Sequence, residues 1–428
     1  MKNLSLKRLI PLPVSVIMIL SCTGQAENHE SETASKSGGL TLPNGFRAIV
    51  VASSLGRGRH IAVNNNGDIY LSLEQKNNDG GIVALRDTNS DAIADIVSFF
   101  GQFTGTGIKI HDGYLYFGAD TAVVRYKLIE GELVPDKDYE LIAYGFGKEG
   151  QHAAKPFTFD DNNNIYVNVG APSNACQEPD RTPGTPGLDP CPILNYAGGI
   201  WRFKADEINQ NQRTEGYRYA TGLRNCVAIS WNHSDNHLYV VQQGRDQLAQ
   251  FFPDLYTQEQ GANLPAEAFY KLNDGDNCGW PYCYYDNFKN KLVLAPEYGG
   301  NGDITGRCAD KTDPIMAFPA HTSPDDLLFY TGNMFPEKYK NGAFIAFHGS
   351  WNRSPEEQEG YYVAFVPFEN NKPVGNWEIF ANGFAGKEPV MSPADAEYRP
   401  CGLAQGPDGS LYIADSEKGR IWRIFYNK

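Results

Sequence analysis

The sequence is poor in helical signals. Few stretches of ten or more residues keep a 3.6-residue apolar period. Leu133–Tyr144 and Pro253–Ala268 come nearest to that helical period, and neither is long. Basic charge is also short. The formal net charge is -14, so a nucleic-acid or anionic-membrane surface is excluded as a main partner. There is no C-x-x-C-H run, which excludes a covalently attached haem. The Cys278 to Cys283 spacing is not a zinc-knuckle spacing, and no matching histidine pair follows. No apolar run has the length needed to span a bilayer.

Glycine, proline and aromatic residues are plentiful: 44 Gly, 26 Pro and 12% aromatic residues in 428. Such a composition favours short strands and many turns. A single theme recurs. "NNNGDIYLSL" starts at Asn64, "IHDGYLYFGA" at Ile110, "DDNNNIYVNVG" at Asp160, "HSDNHLYVVQQG" at His233, "YKNGAFIAFHG" at Tyr339 and "GPDGSLYIADS" at Gly406. Each is a polar turn of Asn, Asp and Gly running into a short apolar strand, with another strand upstream: a hairpin signal. A third strand ending near Arg or Lys often follows, as in "GGIWRF" at Gly198 and "GRIWRIFY" at Gly419.

Six such units predict an all-β chain, a six-bladed β-propeller of four-stranded antiparallel sheets. The strand "FRAIVV" at Phe46 would complete the last blade. The alternative is a pair of β-sandwich domains. It is disfavoured because the unit repeats and no linker divides the chain after residue 40.

The N-terminus reads as an export signal. Lys7-Arg8 precedes a short apolar stretch, Leu9 to Leu20. It ends in "ILSC", which resembles a bacterial lipobox, with Cys22 as the lipidated residue. The expected organisation is a signal peptide over 1–22, a polar tether over 23–39 and one propeller domain over 40–428. The expected location is the periplasm, held to the outer membrane of a bacterium by the lipid at Cys22, with simple periplasmic release as the alternative. Seven further cysteines then face an oxidising compartment. Cys176 with Cys191 and Cys283 with Cys308 are candidate pairs, and an odd count leaves at least one unpaired.

Propellers bind ligands around the central channel, at the residues just before each innermost strand. Those positions are Gly105–Ile108, Gly150–His152, Gly222–Asn225, His321–Ser323 and Tyr398–Pro400. They hold one candidate base, His152. With neighbouring segments they add the cations Arg224, Arg353 and Arg399 and the amides Asn225 and Gln243. Arginines gathered in an acidic protein suit a multiply anionic ligand. A neutral histidine beside them suits general-base work near pH 7.

Five runs carry a family resemblance: "TGLRNCVAISWN" from Thr221, "VVQQGRDQ" from Val240, "CGWPYCYYD" from Cys278, "AFIAFHGSWNRSP" from Ala343 and "YRPCGLAQGPDGSLYIAD" from Tyr398. Together they resemble the glucose/sorbosone dehydrogenase family, nearest its sorbosone and pyranose dehydrogenase branch. The resemblance covers roughly residues 40–428. It implies a six-bladed propeller that uses pyrroloquinoline quinone (PQQ) and calcium to oxidise a sugar or sugar aldehyde. His152 would be the base that takes the hydroxyl proton as hydride passes to the quinone. Arg224 and Asn225 would contact the cofactor, as would Gln243. The carbonyls of Gly244 and Arg245 would ligate calcium. Arg353 and Arg399 would pair with the PQQ carboxylates. Electrons would leave to an external acceptor, a quinone or a cytochrome.

Two departures stand out. Asn174 is the nearest amide where soluble glucose dehydrogenases carry a Gln, and the family's cofactor-binding lysine has no match except Arg353. His321, His348 and Trp351 are further candidates for the pocket. The rival readings are a calcium-dependent lactonase-type hydrolase and a cofactor-free propeller that binds carbohydrate or protein.

Overall fold

The computed structural model describes residues 38–147 and 150–427. The signal segment, Cys22 and the tether up to residue 37 lie outside the described residues.

The Asn/Asp/Gly turns form as their chemistry dictates. In the first, Asn64 donates its N–H to the Asp68 carbonyl at 2.7 Å while Gly67 returns a bond to Asn64. Gly67 sits at φ +90°, open to glycine at no steric cost. In the third, the Asp160 carboxylate accepts the N–H groups of Asn162 and Asn164, an Asx-type turn. Each turn leads into a strand with a run of buried residues, five in Ile69–Leu73 and all of Leu411–Asp415.

Six antiparallel sheets result. Blade one is Gly58–Val63, Ile69–Asn77, Gly80–Arg86 and Ile96–Phe100. Blade two runs from Gly105–His111 to Tyr139–Tyr144, and blade three from Phe157–Phe159 to Tyr217–Thr221. Blade four runs from Ala228–Asn232 to Met316–Phe318, and blade five from Pro324–Phe329 to Glu378–Ala381. Blade six takes Pro400–Gln405, Leu411–Asp415 and Ile421–Tyr426, and its fourth strand is Phe46–Ala52 from the other end of the domain. The six first strands lie side by side in a closed ring, the last beside the first. The six-bladed propeller is therefore borne out, and so is its closure by the Phe46 strand.

Phe46 shows how the closure is held. Its ring meets Phe335, Tyr339, Phe380 and Tyr426 edge-on, at centroid distances of 4.8 to 5.3 Å. Each such contact adds about 0.5–1.5 kcal/mol beyond area burial, and together they tie blade six to blade five.

Three details depart from the expectation. Blade two carries a fifth, two-residue strand, Gln210–Asn211, paired parallel to Tyr139–Tyr144. Leu133–Tyr144 is not helical: Tyr139–Tyr144 pairs with Ala122–Lys127, so sheet contacts override a local helical period. Within Pro253–Ala268 only Gln258–Asn263 is helical, opened by a Thr257–Gln260 capping box, before the chain enters the strand Glu267–Leu272. Both candidate disulfides are present, Cys176–Cys191 and Cys283–Cys308. Cys226, Cys278 and Cys401 are free and buried.

Candidate functional site

At one end of the channel, the loops that precede the inner strands converge. His152 sits on such a loop, five residues before the inner strand Phe157–Phe159. Its backbone is left-handed, φ +56°, a conformation that costs a non-glycine residue of the order of 1–2 kcal/mol. Gly170 makes room for it, because a Cβ there would lie 2.6 Å from both the His152 Cβ and the Asn225 Oδ1.

The tautomer of His152 is fixed by its partner. Nδ1 lies 2.5 Å from the Ala171 carbonyl. A carbonyl only accepts, so Nδ1 carries the proton and Nε2 keeps its lone pair. Burial, seconded by Arg224, lowers the imidazole pKa to about 3. The side chain is a neutral base throughout the physiological range.

Beneath it lies a buried charge network. Arg224 donates to the Gly244 carbonyl at 2.9 Å, to Asn174 Oδ1 at 3.1 Å and to Asp246 Oδ2 at 2.7 Å. Asp246 Oδ2 also accepts from Arg181 at 2.8 Å. Burial raises the pKa of Asp246, but Arg224 and Arg181 outweigh it and hold the carboxylate well below its usual range. The Arg224 Nε is buried and has no partner among the described residues. The same holds for Asn352 Oδ1, although the Asn352 amide nitrogen donates to Asp246 at 3.0 Å.

Amides link this network to the channel. Asn225 accepts from Asn168 at 3.1 Å and donates to Gln243 Oε1 at 2.9 Å. Gln243 donates onward to Asp325 at 2.9 Å and to Ser323 at 3.2 Å. Glu267 is buried and accepts the Gly244 N–H at 2.7 Å and the Ser323 N–H at 3.2 Å. Burial outweighs those two bonds and pushes its carboxyl up to about 8.

Two adjoining cavities open here. The larger, about 450 Å³, is lined by Arg59, Thr106, His152, Asn225, Gln243 and His348 among others. The smaller, about 250 Å³, has His152, Arg181, Arg224, Gly244, Trp351 and Asn352 on its wall. His152 and Gln243 belong to both. The structure thus brings together His152, Arg224, Asn225, Gln243 and Gly244. It also brings in Asn174, which accepts from Arg224 and from the Asp246 N–H.

Arg353 and Arg399 are placed otherwise. Neither lines the two cavities. Arg353 is buried, donating to the Glu357 carbonyl at 2.9 Å and to Ala262, and is 3.1 Å from Glu359. Arg399 donates to the His348 and Gly349 carbonyls at 3.0 and 2.5 Å. Arg399 thus holds the His348–Gly349 backbone, while Arg353 ties the segment around Glu357 to Ala262. Arg245 also points away from the cavities, paired with buried Glu297. His348 and Trp351 line the pocket as expected. His321 does too, with its Nε2 against the Gly261 and Leu264 carbonyls at 3.0 Å.

Two cations were missed in the sequence. Arg59 lies in the first inner strand, 3.0 Å from Asp325. Arg181 lies in the insert closed by Cys176–Cys191. The resulting donor set is three guanidinium groups, several amides and a neutral imidazole around a polar cleft, with an unpartnered Arg224 N–H. The walls also carry Glu74, Asp120 and Asp325 in the larger cavity and Asp246 and Glu267 in the smaller, so the guanidinium and amide donors are the groups that fit a planar polyanion such as PQQ. For a metal, no cluster of three His, Cys, Asp or Glu side chains is found among the described residues. The Gly244 carbonyl, with one lone pair given to Arg224, offers a hard oxygen on the cavity wall.

The chain is similar to known proteins in both sequence and fold. The chain is 25% identical over 444 residues to an uncharacterized protein of Borreliella burgdorferi, covering 100% of both. It is 26% identical over 250 residues to the pyrroloquinoline quinone-dependent pyranose dehydrogenase of Coprinopsis cinerea, an alignment that spans 51% of this chain and 32% of that protein. In three dimensions it is similar to the holo PQQ domain of the Coprinopsis enzyme, with TM-score 0.71, 19% identity and coverage of 90% and 97% of the two chains. A calcium structure of the Trichoderma reesei family AA12 carbohydrate-active enzyme matches with TM-score 0.73 at 17% identity, again covering 90% and 97%. These structural likenesses carry the fold. The TrAA12-like profile matches residues 40–427, nearly all of the described chain, and the chain belongs to the TrAA12-like family.

Proposed function

We propose that this chain is a PQQ-dependent dehydrogenase of a sugar or sugar aldehyde. One observation carries the reading. The Nδ1–H of His152 is committed to the Ala171 carbonyl, which leaves a neutral Nε2 acceptor at a cleft shared with three arginines.

When bound, PQQ supplies a two-electron acceptor, chemistry that no protein side chain provides. Arg59 and Arg224 would balance its carboxylates, while Asn225 and Gln243 donate to or accept from its ring oxygens. Arg353 and Arg399 would act indirectly, Arg399 by holding the backbone just before Trp351 and Asn352 and Arg353 by holding the segment just after them. His152 Nε2 takes the proton of the sugar hydroxyl as the C–H bond breaks. The Ala171 carbonyl at Nδ1–H and the Asp246 carboxylate favour the charge it acquires, against the larger opposing effects of burial and Arg224. The exposed Trp351 indole, 55% accessible, offers the sugar an apolar face at the rim.

Calcium forms a second component of the proposal. The second lone pair of the Gly244 carbonyl, with oxygens of the cofactor, would hold it, and Arg245 would add its carbonyl. No step of the proton transfer depends on it.

Export and lipid anchoring through Cys22 complete the proposal. The two disulfides support it, since they persist in oxidising compartments. No helix among the described residues is long and apolar enough to cross a membrane. Fatty-acid labelling that survives Cys22→Ser would remove the anchor. Electrons would leave to a separate acceptor, a quinone or a cytochrome.

The test is dye reduction by the PQQ-loaded protein over a panel of aldoses, pyranoses and sorbosone, with and without calcium. Turnover with any member supports the reading. A protein that binds PQQ and reduces nothing contradicts it.

A further inference from the structure

The insert Cys176–Cys191, closed on itself by its disulfide, is joined to the His152 loop by side chains. The Gln151 side-chain amide, next to the base, is gripped at both ends. Its Nε2 donates to Asp180 Oδ2 at 2.8 Å. Its Oε1 accepts from Arg181 Nε and Nη2 at 3.1 and 3.0 Å. An acceptor on one side and a donor fork on the other permit only one amide orientation.

The grip is itself anchored. Asp180 Oδ1 accepts from Ser173 Oγ at 2.6 Å and from the Asn174 N–H at 3.1 Å. Arg181 reaches across to blade four, donating to Gln247 Oε1 at 2.6 Å and Asp246 Oδ2 at 2.8 Å. Trp280 Nε1 ties the base of the insert through the Asn174 carbonyl at 2.9 Å. Cys176 and Arg181 both adopt left-handed backbone, φ +56° and +53°. Strained residues persist only where the surroundings over-determine them, and His152 shares that condition.

We propose that the disulfide-closed insert is a positioning clamp for His152, acting through Asp180 and Arg181 on Gln151. The inference rests on His152 being the base of the reaction proposed above. Arg181 is a positioning residue in this account. Its side chain is 26% exposed, so its ion pairs are partly screened and add little stability. What they fix is the approach of one loop to the cleft. A base displaced by about 1 Å loses on the order of a hundredfold in rate.

Arg181→Gln tests the clamp with two readouts. In the PQQ-loaded protein, kcat falls about tenfold to a hundredfold while the sugar KM and the PQQ affinity stay within about twofold. In the cofactor-free protein, imidazole 15N spectra, with His152 assigned by His152→Ala, show a single Nδ1–H tautomer in the wild type and a mixture in the variant. Unchanged kcat with an unchanged tautomer overturns the clamp. So does a rise in KM alone, which would make Arg181 a substrate contact. Should Arg181→Gln fail to fold, Gln151→Ala removes the other half of the grip and predicts the same pattern. A wild type without turnover defeats the proposed function, yet the tautomer comparison still decides the clamp.

Discussion

Arg224 and Asp246 form a buried ion pair, 2.7 Å between Nη2 and Oδ2, directly under the cleft that His152 overlooks. The pair is shared, because Arg181 and Asn352 bond the same carboxylate. Asp246 is thus the carboxylate that both arginines share before any ligand arrives, with Asp180 a more distant neighbour of Arg181 at 3.9 Å. Asp246→Asn leaves Arg224 without its counter-charge and Arg181 with Asp180 alone. Breaking a buried pair from one side costs about 3–5 kcal/mol. The expected result is a marked fall in the unfolding temperature of the ligand-free protein, partly restored by saturating PQQ. A melting curve equal to wild type would mean that the network relaxes into solvent.

The pH profile follows from the His152 environment. Its pKa is lowered from 6.5 to about 3, first by burial and then by Arg224. The free enzyme therefore keeps the base deprotonated well below neutrality. We expect kcat/KM to show no fall near pH 6.5 and an acid limb only below about pH 5. Arg224→Met removes one cause of the depression and moves that limb upward. An acid limb centred at 6.5 in the wild type contradicts the geometry.

Glu267 makes a prediction about stability. Burial raises its pKa from 4.5 to about 8, so the folded protein holds a proton there that the unfolded chain releases. Its contribution is full below the ordinary glutamate pKa and is lost as pH rises through about 8. The wild type should lose thermal stability steadily from pH 5 to 8, and Glu267→Gln should flatten that slope. An unchanged slope in the variant would show that Glu267 is ionised and solvated in the fold.

Arg59 separates two ways of assembling the site. Asp325 holds it at 3.0 Å, and the Arg59 pKa is raised because that pairing outweighs the cost of burial. Burial in turn pushes Asp325 upward against the pull of Arg59. A cation on the wall of the larger cavity should bind a PQQ carboxylate, whereas Arg399 faces backbone carbonyls. Arg59→Met should weaken PQQ binding by tenfold or more, about 1.4 kcal/mol, and by more than Arg399→Met does. The reverse order would return Arg399 to the ligand's contacts.

The propeller was legible because its blades are written locally. Asn64–Asp68 and Asp160–Asn164 show turn residues using their own side chains and backbone, with no help from distant contacts. His152 was legible from its place before an inner strand, and the two disulfides from loops of suitable length. Arg59 was not, because it sits inside the strand Gly58–Val63 and reads as an ordinary alternating residue. Only ring closure brings it to Asp325, far along the chain. Arg353 and Arg399 lie off the two cavity walls for the converse reason. Both occur in motif-like runs, but nearby carbonyls take their hydrogen bonds, a fact that spacing alone does not reveal. The strand Tyr139–Tyr144 was hidden by a helical period that its pairing with Ala122–Lys127 overrules.

The central claim is that this cleft binds PQQ and that His152 acts on the sugar rather than on the cofactor. The most direct measurement is a pair of PQQ titrations on the full chain, wild type and His152→Ala, followed by addition of the best sugar while the cofactor absorbance is recorded. The expected result is saturable binding of one equivalent with similar affinity in both proteins, and sugar-driven reduction in the wild type alone. Absence of binding in the wild type, or equal reduction in His152→Ala, would contradict it.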